Sequence, residues 1–260
     1  MSASAPIGFE VQGAIFDVDD TLLDNRTETI GAGLHETSRR IAVHEVGRVY
    51  EIPALLTLTP EENYLAFRNA RVHTLQGAIW EVLLLKGVVN SDIMDPEHPI
   101  LLEIAARKEA MHADVLREQG VPLPHAVEFV TALHDSGVDK MAIGSSAIRR
   151  DIDIFLEMTA MKPFFPNDRI ISYESISQPK PDPEVFNLAF ASLGLPEADR
   201  AHTCAFEDDP RGIVSARRAG VYTCAITSRY SRGELESLEV APHFVADDYL
   251  EMADHFGLTL

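Results

Sequence analysis

Six short and almost wholly apolar runs punctuate the chain: Gly13-Ala-Ile-Phe-Asp17, Lys140-Met-Ala-Ile-Gly-Ser145, Arg169-Ile-Ile-Ser172, His202-Thr-Cys-Ala-Phe-Glu207, Val221-Tyr-Thr-Cys-Ala-Ile226 and His243-Phe-Val-Ala246. Runs of this kind, with no polar alternation, predict strands covered on both faces, which is the signature of a parallel sheet sandwiched by helices. Helical patterns lie between them. Over residues 125–136, Val127, Val130, Leu133 and His134 recur at three- and four-residue spacing, and Gly137 is placed to end the helix. Asp182, Pro183 and Glu184 read as an N-cap, a proline at the first helical position and an acidic first turn, predicting a helix over 183–193.

The spacing of the strands is uneven, and that unevenness divides the chain. After Asp17 the next run starts near Val138, whereas the later strands follow one another closely. The intervening stretch is helical in pattern over Thr27 to Val49, Pro60 to Lys86 and Pro99 to Gln119, with breaks at Pro53 and from Asn90 to Pro96. The expected organisation is therefore an α/β core of residues 1–24 and 120–260, interrupted by an all-helical insertion of residues 25–119. An insertion of this kind predicts a lid or cap. Trp80, with Ile79, Leu83 and Leu84, is expected in the core of the insertion. No internal repeat or low-complexity tract is present.

Charge narrows the choice of function. There are 41 acidic residues against 22 basic ones, for a net charge of −19. Such a field repels nucleic acid and anionic lipid and provides no basic surface for phosphate-backbone binding. The most apolar segment, Ala78 to Val89, carries Glu81 and Lys86 and is shorter than the roughly 20 residues that span a bilayer. The N-terminal residues lack the basic and apolar blocks of a signal peptide. The two cysteines, Cys204 and Cys224, fall inside strand patterns and are expected as free core residues in a reducing, cytoplasmic compartment. Oligomeric state leaves no mark on the sequence.

Polar residues collect where the strands end. The first run leads into Asp17-Val-Asp-Asp-Thr21, where alternation would put Asp17 and Asp19 on one side, about 7 Å apart. Ser145 and Ser146 follow the second run, Lys180 stands between Pro179 and Pro181, and Glu207-Asp208-Asp209 closes the fourth, with Gly212 beyond. Ligands of open parallel sheets bind at this carboxyl edge. Each feature alone has a plainer reading as turn or capping chemistry, and Asp209 before Pro210 can be only a helix cap.

Taken in order, Asp17-x-Asp19-x-Thr21, Ser145, Lys180-Pro181 and Glu207-Asp208 resemble the motifs of the haloacid dehalogenase-like superfamily, over about residues 14–23 and 122–248. The insertion resembles in its placement the helical cap of phosphoglycolate phosphatase-like, sugar-phosphatase and β-phosphoglucomutase-like members. The resemblance implies a Rossmann-like catalytic core with central strand order 5-4-1-2-3. It further implies Mg²⁺-dependent hydrolysis of a small phosphorylated metabolite through an aspartyl-phosphate. Asp17 would be the nucleophile and Asp19 the general acid; Ser145 and Lys180 would also be catalytic. Thr21, Ser145, Ser146 and Lys180 would form the substrate-binding set, and Asp17, Asp19, Asp208 and Glu207 the metal set.

A hard cation also answers the repulsion among clustered carboxylates, and Mg²⁺ favours oxygen ligands. Asp20 and Asp209 depart from the pattern, standing where glycine and a small hydroxyl residue are frequent. The alternatives are a sugar-phosphate mutase, from which Thr21 argues away, and a non-catalytic phosphate-binding protein, which intact Asp17 and Asp19 disfavour. Arg26, His35, Arg39, Arg68, Arg71 and His73 are the polar candidates of the insertion.

Overall fold

The computed structural model describes residues 10–25, 33–72 and 74–260. The chain divides into two compact units, Met1–Asp24 with Val121–Leu260, and Asn25–Gly120. In the first unit, strands β1 (Gly13–Phe16), β2 (Met141–Gly144), β3 (Ile170–Ile171), β4 (Thr203–Glu207), β5 (Tyr222–Ile226) and β6 (Phe244–Ala246) form one parallel sheet ordered β3-β2-β1-β4-β5-β6. This is the implied central order, extended at one edge by β6. All four residues of β1 and all five of β4 are buried, as continuous apolar runs require. Phe16 of β1 stacks on Phe206 of β4 at 4.6 Å between ring centroids, and Phe129 meets Phe206 edge-on at 5.2 Å.

Among the described residues of the inserted unit there are four α-helices: α1 (Leu34–Val49), α2 (Pro60–Asn69), α3 (Leu75–Leu85) and α4 (Pro99–Gln119). Their core gathers Val43, Leu55, Ile79, Leu83, Leu101 and Ile104. Trp80 is 4% exposed in this core, as expected, and its indole N–H donates to the Ser91 carbonyl at 3.0 Å. The single helix expected over Pro60 to Lys86 is in fact two. Thr74 opens α3 by accepting the Gly77 N–H at 3.1 Å, and Gly77 approaches Val72 so closely that a Cβ there would collide with the Val72 carbonyl oxygen. Neither residue interrupts the apolar periodicity, so the pattern runs through the break. Helix α1 is described from Leu34; its expected start at Thr27 lies outside the described residues.

The remaining helices flank the sheet: α5 (Ala126–Asp135), α6 (Arg149–Met158), α7 (Glu184–Leu193), α8 (Pro210–Arg218), α9 (Arg232–Glu236) and α10 (Tyr249–Phe256). Gly137 follows α5 at φ +105°, with its N–H on the His134 carbonyl at 2.9 Å. Helix α7 begins one residue later than its pattern suggests, with Pro183 at the cap position and Asp182 Oδ1 accepting the Glu184 N–H at 2.9 Å. Cys204 and Cys224 are free and buried. No helix among the described residues is long and apolar enough to cross a membrane.

The Phe16–Phe206–Phe129 cluster joins the two central strands to α5. Phe206→Ala is expected to lower the unfolding free energy by about 3–5 kcal/mol in urea titrations, because the surrounding rings cannot collapse into the space. A loss near zero would contradict this packing.

Candidate active site

All the strands run in one direction, so their carboxyl ends share an edge, and the expected site residues lie along it. The β1–β4 register pairs Phe16 with Phe206, and the Asp17 N–H extends that ladder onto the Phe206 carbonyl at 3.0 Å. The chain then leaves the sheet in a tight loop folded around the Val18 carbonyl, which accepts from Leu22 at 2.9 Å and Leu23 at 2.8 Å. Asp20 takes φ +59° in this loop. Asp17 is 5% exposed and Asp208 3%.

One carboxylate oxygen each from Asp17, Glu207 and Asp208 lies within 4.8 Å of the others. Lys180 ties this cluster together: its Nζ donates to Asp17 Oδ1 at 2.7 Å and to Glu207 Oε1. The other oxygen of Glu207 accepts the backbone N–H groups of Asp208 and Asp209, at 2.9 and 3.1 Å. Both oxygens of Glu207 are thus engaged. Gly212, on the first turn of α8, is pressed against this carboxylate, and any Cβ there would collide with Glu207 Oε1. The loop bearing Lys180 is pinned in turn by Ser177 and Gln178 to Glu184, and by Ser215 Oγ to the Asp182 carbonyl at 2.6 Å.

Burial raises the Asp17 pKa to about 7, opposed by Lys180 and reinforced by Glu207 and Asp19. Asp208 is pushed well above the usual aspartate value by burial, then by Asp20, Glu207 and Asp17. Burial works against the Lys180 ammonium, but Asp17 and Glu207 outweigh it and lift its pKa above the ordinary lysine value. Carboxylates driven toward protonation in this way are the environment that a hard divalent cation relieves, and the donors are all oxygen. The residues present therefore fit such an ion.

The other expected residues are placed differently. Asp19 is half-buried beside the cluster, and its charge helps raise the Asp17 pKa. Thr21 is fully buried; its hydroxyl donates to Asp208 Oδ1 at 3.1 Å, which makes it a brace for that acid. Ser145, 1% exposed, directly follows β2 with its Oγ accepting the Ala147 N–H at 3.2 Å, and Ser146 is exposed. Asp209 caps α8, accepting the Arg211 N–H at 2.8 Å.

In the helical unit, Arg39 is 3% exposed and bonds Asn63 Oδ1 at 2.7 Å. His35 stacks on His112 at 4.2 Å. Arg68 bonds the Tyr64 hydroxyl and Arg71 pairs with Asp92 at the surface. Arg26 and His73 lie outside the described residues. Two contributors were not foreseen. Tyr249 on α10 donates its hydroxyl to the Thr21 carbonyl at 2.8 Å, and Arg229, beyond the end of β5, pairs with Asp20 at 3.1 Å. The position of Arg229 after a strand was a usable signal; Tyr249 sits in an ordinary amphipathic helix and offers none.

Residues 11–220 match the family model described as haloacid dehalogenase-like hydrolase. The chain belongs to the haloacid dehalogenase-like hydrolase family. It is similar to Protein CbbY of Rhodobacter capsulatus, 34% identical over 114 residues that cover 43% of this chain and 48% of that protein. Pyrophosphatase PpaX of Oceanobacillus iheyensis is 32% identical over 135 residues, 52% of this chain and 59% of that protein. The matches thus span about half the length of these two relatives. The crystal structure of CbbY from Rhodobacter sphaeroides in complex with phosphate shares the fold, with TM-score 0.65 and 18% identity over 93% of this chain and 96% of that one.

Lys180→Met would leave Asp17 and Glu207 buried without their ammonium. Lys180 lowers the Asp17 pKa, which is about 7 with the lysine in place; without it the carboxyl stays protonated to higher pH, so relative to the parent the variant goes on losing stability as pH rises beyond about 7. In chelator, urea unfolding of this variant is expected to show a deficit of about 3–5 kcal/mol near pH 8 that shrinks near pH 6. An equal deficit at both pH values would contradict the clamp.

Proposed function

We propose that the protein is a Mg²⁺-dependent phosphatase that hydrolyses a small phosphorylated metabolite through a phosphoryl group carried on Asp17. The observation that carries this reading is the buried Lys180 clamp on Asp17 and Glu207 beside Asp208, at the carboxyl edge of a sheet of this family. Phosphate in the similar CbbY structure, and the pyrophosphatase name of PpaX, support a phosphorylated substrate.

Asp17 Oδ attacks phosphorus, the bond from phosphorus to the ester oxygen breaks, and Asp19 gives its proton to the departing oxygen. Asp19 then takes a proton from water, whose oxygen attacks the same phosphorus; inorganic phosphate leaves and Asp17 returns to a carboxylate. Lys180 favours the ionised form of Asp17 against the effect of burial and orients it through Oδ1, and with Ser145 it receives the non-bridging phosphate oxygens. Asp17, Asp208 and Asp19 would hold the Mg²⁺, with Glu207 supporting from behind, where its oxygens fix Lys180 and the Asp208 backbone. When bound, Mg²⁺ supplies the positive charge that lets a phosphate dianion enter among carboxylates.

The helical unit, residues 25–119 in this reading, selects the substrate. Its interior keeps Lys108 and His112 at 8% and 2% exposure, with Lys108 Nζ 3.2 Å from His35 Nδ1. Thr21 favours hydrolysis over the mutase alternative. A small-molecule partner and a cytoplasmic setting belong to the same reading, and the net charge of −19 speaks against nucleic acid and anionic lipid as partners.

The purified chain is expected to hydrolyse an aryl phosphate with Mg²⁺ and to stop in chelator. Asp17→Asn should lose about a thousandfold or more in kcat while keeping its melting temperature. Turnover that survives either change would contradict the reading; when both changes stop it, a panel of phosphorylated metabolites names the substrate. Isomerisation dependent on a bisphosphate primer would favour the mutase.

A further inference from the structure

Both acids that depart from the family's pattern are held by arginines. Asp209 accepts Arg211 Nε at 3.1 Å on its own helix cap. Asp20 is met from the far side of the edge, where Arg229 Nη1, three residues beyond the end of β5, donates to Asp20 Oδ2 at 3.1 Å. Asp20 is 3% exposed and sits at φ +59°, a conformation glycine enters freely and aspartate only at a cost. A buried carboxylate in a strained conformation, matched by a guanidinium from another loop, is an arrangement that the surrounding structure must actively maintain. The next residue along the loop is Thr21, whose hydroxyl donates to Asp208 Oδ1 at 3.1 Å, so the pair sits one residue from a direct contact with the acidic cluster.

We propose that Asp20 and Arg229 form a charge-setting pair for the acidic crevice, and that their balance fixes how strongly the site holds its cation relative to its phosphate anion. The inference rests on the metal-dependent phosphatase reading. Neither residue meets the reacting atoms; both are positioning residues that act through Asp208. Adding or removing one charge beside a site must move cation and anion affinities in opposite directions, whereas damage to the loop would weaken both.

The test compares Arg229→Gln, Asp20→Gly, the double variant and Arg229→Lys, all in the full chain. Mg²⁺ binding is followed by calorimetry without substrate, and inorganic phosphate is followed as an inhibitor of aryl phosphate turnover. In Arg229→Gln, Mg²⁺ should bind about three- to tenfold tighter and phosphate weaker by a similar factor, with both shifts shrinking in high salt. Asp20→Gly should reverse both signs, and the double variant should return both constants to within about twofold of the parent. Arg229→Lys retains the charge and should behave as the parent.

Shifts of the same sign, absent shifts, a double variant that does not return, or a folded Arg229→Lys that behaves like Arg229→Gln would overturn the inference. A parent protein that neither binds Mg²⁺ nor turns over aryl phosphate would overturn the phosphatase reading along with it. Failure of the opposed shifts in a parent that does both would overturn this inference alone.

Discussion

One ammonium group holds the acidic edge of this protein together. Lys180 is the cation that Asp17 and Glu207 share, in a place where burial makes unpaired carboxylates expensive. The rest of the α/β unit serves that arrangement. Parallel pairing of β1 with β4 brings the strand ends of Asp17 and Glu207 side by side. Gly212 makes room for the Glu207 carboxylate, and the Ser215 and Glu184 bonds keep the lysine loop in register with it. Thr21 and Tyr249 brace the opposite flank by fixing Asp208 and the loop after β1. The clamp satisfies part of the negative charge at this edge, and the carboxylate oxygens that remain are donors of the kind a hard divalent cation prefers.

Much of this was legible in the sequence because its causes are local. A strand buried on both faces must be apolar throughout, so all six strands announce themselves, even β3, which keeps only Ile170 and Ile171 in the sheet. A long gap between the first two strands reveals the insertion, and the compact units divide at Asp24 and Gly120. A residue that caps the helix next to its own position, such as Asp209, is equally readable, whereas Asp182 accepts the Glu184 N–H from one residue before the cap, which Pro183 occupies. What escaped the sequence depends on folding back: the break between α2 and α3 rests on a close approach of Gly77 to Val72, which no periodicity records.

The same distinction holds in the site. Asp17, Lys180, Glu207 and Asp208 each follow a strand or sit between prolines, so their convergence could be anticipated from the family's order of motifs. Their division of labour could not. Glu207 carries the same charge as Asp208, yet its oxygens are taken by Lys180 and two backbone N–H groups, while Asp208 receives the Thr21 hydroxyl. Nor could sequence show that Asp20 and Asp209, two additions to an already crowded edge, come with their own arginines. Net charge describes the molecule; pairing determines what a ligand meets.

In the proposed reaction it is Asp17 that carries the phosphoryl group. The most direct test is acid quenching of the enzyme during turnover of a phosphorylated substrate, followed by peptide mass spectrometry and hydroxylamine treatment to detect an acyl-phosphate. The account predicts a hydroxylamine-sensitive phosphoryl group on the peptide containing Asp17. A phosphoryl group on any other residue of an actively hydrolysing enzyme would contradict it.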